Sequence, residues 1–148
     1  MPGRVLLVAA ASLLLVAGPA IAAEQTAIAY IQDRYADAPE PGAKARYSPR
    51  IDKLWAACLD KEKQSGDPCM DFDIWVNAQD WEIENLEVEQ IAADGGKAAI
   101  LVRFDNFGRR ETISYNLLKD ENGWVVDEIS TGCDTLSGVL RGVPSTAC

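Results

Sequence analysis

The sequence predicts an α+β domain in which two N-terminal helices pack on a curved four-stranded antiparallel meander. Two observations predict this class. Apolar residues recur at helical spacing in two segments before Gly66, and after Trp81 the period changes to two, with glycine-containing turns between the apolar runs. Helices that precede the strands, rather than alternating with them, indicate an antiparallel sheet with helices on one face.

The first 22 residues are expected to be a secretory signal peptide. Arg4 supplies positive charge, residues 5–17 are almost wholly apolar, and Ala20 and Ala22 form a small-residue cleavage motif. The apolar run is shorter than the ~20 residues that a membrane-spanning helix needs, so cleavage is favoured over an uncleaved anchor. Residues 23–148 are therefore expected to form a single domain, periplasmic or secreted, with no membrane segment.

The charge balance narrows the classes of partner. The chain has 14 basic and 23 acidic residues, a net charge of −9. This excess repels nucleic acid phosphates and anionic lipid headgroups, so neither nucleic acid nor a membrane is an expected partner. A basic protein or a cationic ligand would be attracted, although solubility outside the cell is the simpler explanation of the acidity.

The cysteines predict disulfide bonds. An even number of cysteines in an exported chain indicates two disulfides, and the four residues allow three pairings. We favour Cys58 with Cys69 and Cys133 with Cys148, because each closes a short loop. A zinc site is not expected, since no pair has C-x-x-C spacing and the chain contains no histidine. No metal or other cofactor is predicted.

Helix one is predicted over residues 23–35. Its apolar side chains have the i, i+3, i+4 spacing of a single buried stripe, formed by Ala27, Ile28, Ile31 and Tyr35. Two prolines and a glycine within residues 37–42 end the helix.

Helix two is predicted to begin at Ser48-Pro49. The serine hydroxyl can accept from an exposed amide, and proline suits the first helical position. Residues 65–68, Ser-Gly-Asp-Pro, end the helix. Its apolar face carries Ile51, Leu54, Trp55 and Cys58, so Trp55 is expected in the core, as is Trp124 on the last strand.

The first strand is predicted to contain a β-bulge near residues 84–85. Trp81 and Ile83 have one parity, whereas Leu86 and Val88 have the other, so one extra residue is needed to place all four on the core face.

Three turns separate the four predicted strands. Residues 98–104 are apolar on both faces, as in a central strand, and residues 112–117 alternate. Asn122-Gly123 predicts a type I′ turn before the last strand, residues 124–129. The other turns are expected at residues 94–96 and 106–108, and the tail, residues 130–148, is expected to be a coil held by its disulfide.

Residues 71–81 are the strongest candidate for a functional segment, because carboxylates, amides and two indoles are concentrated between helix two and the sheet. Asp71 and Asp73 can form an acid/base pair if burial raises one pKa. A calcium loop is not supported, since the required glycine and later glutamate are missing. The structural alternative is that Asp73, Asn77 and Asp80 cap turns. In this alternative, Trp75 and Trp81 fill space in the core.

Other signals of chemistry are weak. With no histidine, the commonest general base is missing, and no nucleophile-elbow, dinucleotide-binding or P-loop motif occurs. Arg103, Arg109 and Arg110 flank a hairpin and can clamp an anionic group, although such arginines are more often solvated strand ends. The sequence therefore favours a protein that is not an enzyme.

Four segments carry a resemblance to a known family: Asp-Phe-Asp at residues 71–73, Asn-Ala-Gln-Asp-Trp at 77–81, Val-Arg-Phe-Asp-Asn-Phe-Gly at 102–108, and Gly-Trp-Val-Val-Asp-Glu-Ile at 123–129. Together they resemble the bacterial exported domain-of-unknown-function family 3828. The resemblance implies a nuclear-transport-factor-2-like cone fold, in which helices close over a strongly bent sheet and leave a pocket. It implies no established activity.

These observations predict an exported, non-catalytic binding or inhibitory protein whose partner is a small ligand or another protein. The candidate ligand-binding residues are Asp73, Asn77, Asp80, Trp81 and Arg103. The alternative is a small pocket enzyme, a hydrolase or isomerase, in which Asp73 or Asp80 is the base and Asn77 or Arg103 orients the substrate.

Overall fold

The computed structural model describes residues 25–143. The described elements are α1 (Ala27–Tyr35), α2 (Pro49–Ser65), β1 (Ile83–Asp94), β2 (Lys97–Asn106), β3 (Arg109–Asp120), β4 (Gly123–Ser130) and α3 (Leu136–Arg141). The strands form one antiparallel sheet in the order β1-β2-β3-β4, which confirms the α+β class and the meander. The predicted signal peptide, residues 1–22, lies outside the described residues.

The caps of the first two helices explain their boundaries. The Thr26 hydroxyl accepts from the N–H of Ala29 at 3.1 Å, so α1 begins at Ala27 rather than at the predicted residue 23. The Ser48 hydroxyl accepts from the N–H of Ile51 at 3.4 Å, and α2 ends at Gly66 with φ 81°, as predicted for this helix.

The sheet is irregular along β1. A register shift between Glu84 and Glu87 confirms the predicted bulge and brings Ile83 and Val88 to the same face. Leu86 lies in the bulge and is 39% exposed, so its predicted place in the core is wrong. A second, unpredicted shift occurs around Ile91, which is 54% exposed. An extra residue bends and twists a strand, so β1 departs from a flat edge.

The type I′ turn pattern occurs at the β2–β3 hairpin, where Phe107 and Gly108 both have positive φ, 49° and 78°. At the β3–β4 hairpin Asp120 pairs with Gly123, so Gly123 follows the two loop residues and has a φ of 112°. The Asp120 carboxylate closes this loop by accepting from the N–H of Asn122 at 2.8 Å. The predicted type I′ turn at Asn122-Gly123 is therefore wrong, although a tight turn does lie there.

The core lies between the helices and the inner face of the sheet. Alternate residues of β2 and β3 point inward, and the largest of them, Phe104 and Tyr115, are fully buried. The α1 helix packs over β1 and β2, whereas α2 packs over β4. The opposite face of the sheet, here called the outer face, carries the other half of each strand's side chains.

The tail is not the coil that the sequence predicts. Thr135 caps α3, which packs on α2 and β4 and buries Leu136 and Leu140. The helices are therefore not all N-terminal.

The disulfide between Cys58 and Cys69 is confirmed, with a Cα–Cα distance of 5.4 Å. Cys133 is also disulfide-bonded, and its predicted partner, Cys148, lies outside the described residues.

Candidate functional site

A cavity of about 650 Å³ opens between α2 and two irregular segments, residues 40–47 and 69–81. This volume is in the range of small-molecule sites. Aromatic and acidic side chains dominate its walls, namely Tyr47, Trp55, Phe72, Trp75 and Trp81 together with Glu40, Glu62, Asp71 and Asp73. We call this space the aromatic cavity.

Covalent and hydrogen-bonded links hold the segment of residues 69–81 against α2. The Cys58–Cys69 disulfide joins the buried face of the helix to the beginning of this segment. The N–H of Cys69 also donates to the Glu62 carboxylate at 3.0 Å. Since Glu62 and Cys69 both line the aromatic cavity, these links fix two of its walls relative to each other.

Trp75 forms a buried wall of the cavity. Its indole N–H donates to the Tyr47 hydroxyl at 3.1 Å, and its carbonyl accepts from the Tyr35 hydroxyl at 2.9 Å. The ring of Trp75 lies 4.8 Å from that of Tyr115, centroid to centroid. Gly42 covers the other side, where a Cβ atom would lie only 2.3 Å from the indole. The close approach of the backbone therefore requires glycine at this position.

Asp73 lies at the base of a small loop. Its backbone pairs with that of Ala78, and its carboxylate accepts from the N–H of Trp75 at 2.8 Å. The other carboxylate oxygen, Oδ2, is shielded from solvent and has no hydrogen-bond partner among the described residues. Burial raises the pKa of Asp73 from 3.8 to about 6, the Trp75 amide opposes this rise, and the charge of Glu40 adds to it.

The structure places the predicted site residues in different settings. Asp73 and Trp81 line the aromatic cavity, and Asp80 lies with Trp81 and Phe107 in an adjoining surface depression. Asn77, with φ 55°, instead donates its side-chain amide to Glu111 at 3.2 Å.

Arg103 is far from this arrangement in the fold. It alternates with the inward-facing Val102 and Phe104 on β2, so its side chain projects from the outer face, where it pairs with Glu89 at 3.0 Å. Arg103 therefore does not line the aromatic cavity with Asp73.

The sequence did not predict several of the residues that line the aromatic cavity. Glu40, Tyr47 and Glu62 come from segments that showed no functional pattern, and Trp55, predicted to be a core residue, is half-buried and lines the cavity. The indole nitrogen of Trp55 is shielded from solvent and has no hydrogen-bond partner among the described residues. The Cys58–Cys69 pairing was the available signal, because it places residues 69–81 beside α2.

The described part of the chain contains no group of three or more His, Cys, Asp or Glu side chains placed to hold a metal ion. Within residues 25–143, no helix has the length and apolarity needed to cross a membrane. The arrangement offers an organic molecule an open cleft with aromatic walls, and carboxylates for its polar groups.

Comparison with known proteins gives little further information. No family model and no curated protein match the chain. A phospholipid-binding protein from Ralstonia solanacearum, solved in complex with a phospholipid, is similar with a TM-score of 0.37 and 18% identity. The match covers 64% of this chain and 50% of that one, so the chain spans about half of the other protein's length. A likeness of this degree carries no argument about function.

Proposed function

We propose that the protein is a non-catalytic binding protein that holds a small organic ligand in the aromatic cavity. The observation that carries this proposal is a space of about 650 Å³ with five aromatic side chains in its walls. Aromatic walls supply large apolar contact areas with few rotatable bonds, so ordering them on binding costs little.

The rigidity of the walls supports this role. The disulfide to α2, the Tyr35 and Tyr47 hydroxyls on Trp75, and the close contact of Gly42 all restrict the lining before a ligand arrives. Preorganised walls bind more tightly because less conformational entropy is lost.

Export is part of the proposal. Disulfides persist in oxidising compartments, and the Cys58–Cys69 bond is compatible with a periplasmic or secreted protein. The test is N-terminal sequencing of the protein recovered from periplasmic extract after expression of the full chain. A first residue of Ala23 is expected, and an intact Met1 start in the cytosol would contradict export.

Membership of the domain-of-unknown-function family 3828 and the nuclear-transport-factor-2-like cone are the finer parts of the proposal. Helices on one face of an antiparallel sheet, together with two irregularities that bend β1, support such a plan. A crystal structure with a nearly flat sheet would contradict the cone.

The binding role is tested by following the four indole N–H signals of ¹⁵N-labelled protein by NMR. Trp55, Trp75 and Trp81 line the cavity, whereas the indole N–H of Trp124 donates to the Gln25 carbonyl. Trp124 is therefore an internal control. Soluble aromatic fragments are expected to shift the three cavity signals in a saturable manner and to leave that of Trp124 unchanged. No saturable shift with any fragment would refute the proposal.

A matched pair of variants locates the binding. Trp81→Ala removes a cavity wall and is expected to weaken fragment binding about tenfold, as loss of a central aromatic contact does in other interfaces. Trp124→Phe, outside the cavity, is expected to leave the affinity unchanged. Equal effects of the two substitutions would place the ligand elsewhere.

The alternative of a small pocket enzyme is favoured by one observation, the raised pKa of Asp73 beside the cavity. A base with this pKa gives a rate that rises as the carboxyl loses its proton near pH 6. Hydrolysis of esters and isomerisation of ketones can be screened with the wild-type protein and Asp73→Asn. Turnover that follows this profile and disappears in Asp73→Asn would replace the binding proposal with the enzymatic one.

A further inference from the structure

The charged side chains in the walls of the aromatic cavity are all acidic. Four carboxylate residues line it, Glu40, Glu62, Asp71 and Asp73, and no lysine or arginine does. The carboxylates therefore create a negative potential in this space, to which Glu40 and Asp71 contribute from exposed positions and Glu62 and Asp73 from partly buried ones.

This negative charge is not neutralised within the described part of the chain. None of the four carboxylates takes part in an ion pair there. Glu62 and Asp73 accept only backbone N–H groups, from Cys69 and Trp75 respectively. Backbone N–H donors stabilise a carboxylate without cancelling its charge, so the field in the cavity remains available to a ligand.

The aromatic rings add a second attraction of the same sign. The face of an indole or phenol ring carries partial negative charge and attracts a cation within about 6 Å of its centre. Two indoles, one phenol and one phenyl ring can present a face to the cavity, from Trp55, Trp81, Tyr47 and Phe72. Trp75 also lines it, but this indole is buried against Tyr115 and Gly42. A ligand that is both cationic and partly apolar satisfies the carboxylates and the ring faces at once.

We infer that the ligand of the aromatic cavity is a small organic cation, an ammonium group attached to an apolar body, held by ring faces and the surrounding carboxylates. This inference rests on the proposed binding function and specifies its ligand class. An organic anion would be repelled by the four carboxylates, and a neutral apolar molecule would make no use of them. A volume of about 650 Å³ accommodates an ammonium group with one aromatic ring or a short aliphatic body.

The test compares probes with one apolar body and different charges. Benzylamine and benzyltrimethylammonium are cationic at neutral pH, benzyl alcohol is neutral and benzoate is anionic. Titration into ¹⁵N-labelled protein, with the Trp55, Trp75 and Trp81 indole signals as reporters, is expected to show the cations binding about tenfold more tightly than benzyl alcohol. Benzoate is expected to bind more weakly than the alcohol.

The two cationic probes also distinguish a quaternary ammonium ligand from a primary amine. Preference for benzyltrimethylammonium indicates a quaternary ammonium ligand, for which ring faces dominate. Preference for benzylamine indicates a primary amine, whose N–H groups donate to carboxylates. Either result supports the inference.

A matched pair of variants tests the origin of the selectivity. Glu40→Gln removes one cavity charge, whereas Glu89→Gln removes the same charge from the outer face, where Glu89 pairs with Arg103. Glu40→Gln is expected to weaken cation binding about threefold to tenfold and to leave benzyl alcohol binding unchanged. Glu89→Gln is expected to have little effect on either, and equal losses would trace the preference to net charge alone.

The outcomes separate the two proposals. If benzyl alcohol binds as tightly as the cations, or if benzoate binds best, the inference about the ligand class is wrong and the binding function stands. If none of the four probes and no other fragment shifts the cavity indoles, both proposals fail.

Discussion

The outer face of the sheet and the aromatic cavity both carry several carboxylates, but their charges are balanced differently. On the outer face, Arg103 pairs with Glu89 at 3.0 Å, and Arg110 pairs with Glu87 at 2.9 Å and with Asp105 at 3.4 Å. Every acid in this group has a basic partner on another strand: Glu89 and Asp105 pair with the adjacent strand, whereas Glu87 on β1 reaches across β2 to Arg110 on β3. Such pairs keep opposite charges in register between strands and suit a face that meets solvent.

In the aromatic cavity, carboxylates lie near one another without basic partners among the described residues. Burial raises the pKa of Asp73, and the like charge of Glu40 adds a smaller rise because the two carboxylates repel each other. Uncompensated like charges reduce stability, and natural proteins tolerate such local conflicts at functional sites. The two regions therefore differ in pairing: the acids of the outer-face group have basic partners, whereas the four cavity carboxylates have none among residues 25–143.

The largest expected effect comes from Gly42, which lies against the cavity wall. In Gly42→Ala the new Cβ overlaps the Trp75 indole, and the residue must also keep a φ of 76°. Overpacking and backbone strain together are expected to lower the free energy of unfolding by about 3–5 kcal/mol, measured by urea denaturation. Gly66→Ala is the matched control, because Gly66 has φ 81° but open space around it, and is expected to cost only about 1 kcal/mol. Equal losses would show that Trp75 yields easily.

Loss of the Cys58–Cys69 disulfide is expected to have the next largest effect. The bond closes a loop with a sequence separation of 11 residues, and the double variant Cys58→Ser/Cys69→Ser is expected to lose about 3 kcal/mol of unfolding free energy. Because this bond fixes residues 69–81 on α2, the same variant is expected to bind cavity fragments more weakly at a temperature where it is fully folded. Unchanged affinity in the folded variant would show that the wall is held by other contacts.

Asp73 gives the next effect, and its sign follows from the two protonation states. The pKa of this carboxyl is about 6 in the folded protein and 3.8 without the fold, so the folded state holds the proton more tightly. Its contribution to stability is fully present below about pH 4 and is lost as the pH rises through 6. Allowing for partial solvent access, the loss is expected to be about 1–2 kcal/mol.

Asp73→Asn tests this sign, since the amide oxygen can still accept from the Trp75 N–H. The variant is expected to unfold about 3–6 °C higher than the wild type at pH 8 and at the same temperature at pH 4. Asp71→Asn, an exposed neighbour in the same segment, is the control and is expected to change the unfolding free energy by less than about 0.5 kcal/mol. A variant that is less stable than the wild type at pH 8 would contradict the sign.

The meander could be predicted because its signals are local. Alternation along the strands and glycine-containing turns depend on neighbours in the sequence, and even the parity change that predicted the bulge is a local pattern. The α3 helix escaped prediction because six residues are too few to show a period, and Gly138 lies inside it. Its signals were the cap residue Thr135 and Gly142, which ends the helix with φ 69°.

The candidate site could be predicted only in part. Asp73 and Trp81 stand out in a linker rich in polar and aromatic residues, and both line the aromatic cavity. Glu40 and Tyr47 could not be found this way, because tertiary packing brings their segment opposite α2. Arg103 was predicted to bind the same ligand as Asp73 because its guanidinium group can hold a polar group. On β2, however, it alternates with the inward-facing Val102 and Phe104, so it lies on the outer face of the sheet.

The smallest expected effect tests the outer face itself. Arg103 and Glu89 are about one third and more than half exposed, and an ion pair in such a setting contributes little because water screens it. Arg103→Ala is expected to lower the free energy of unfolding by less than about 0.5 kcal/mol and to leave the indole signals of Trp55, Trp75 and Trp81 in place. Since removing a cation makes the protein still more acidic, affinity for cationic probes should at most rise slightly. A marked loss of cation binding in Arg103→Ala would mean that the outer face and the aromatic cavity are coupled, so that the outer face helps to shape the cavity.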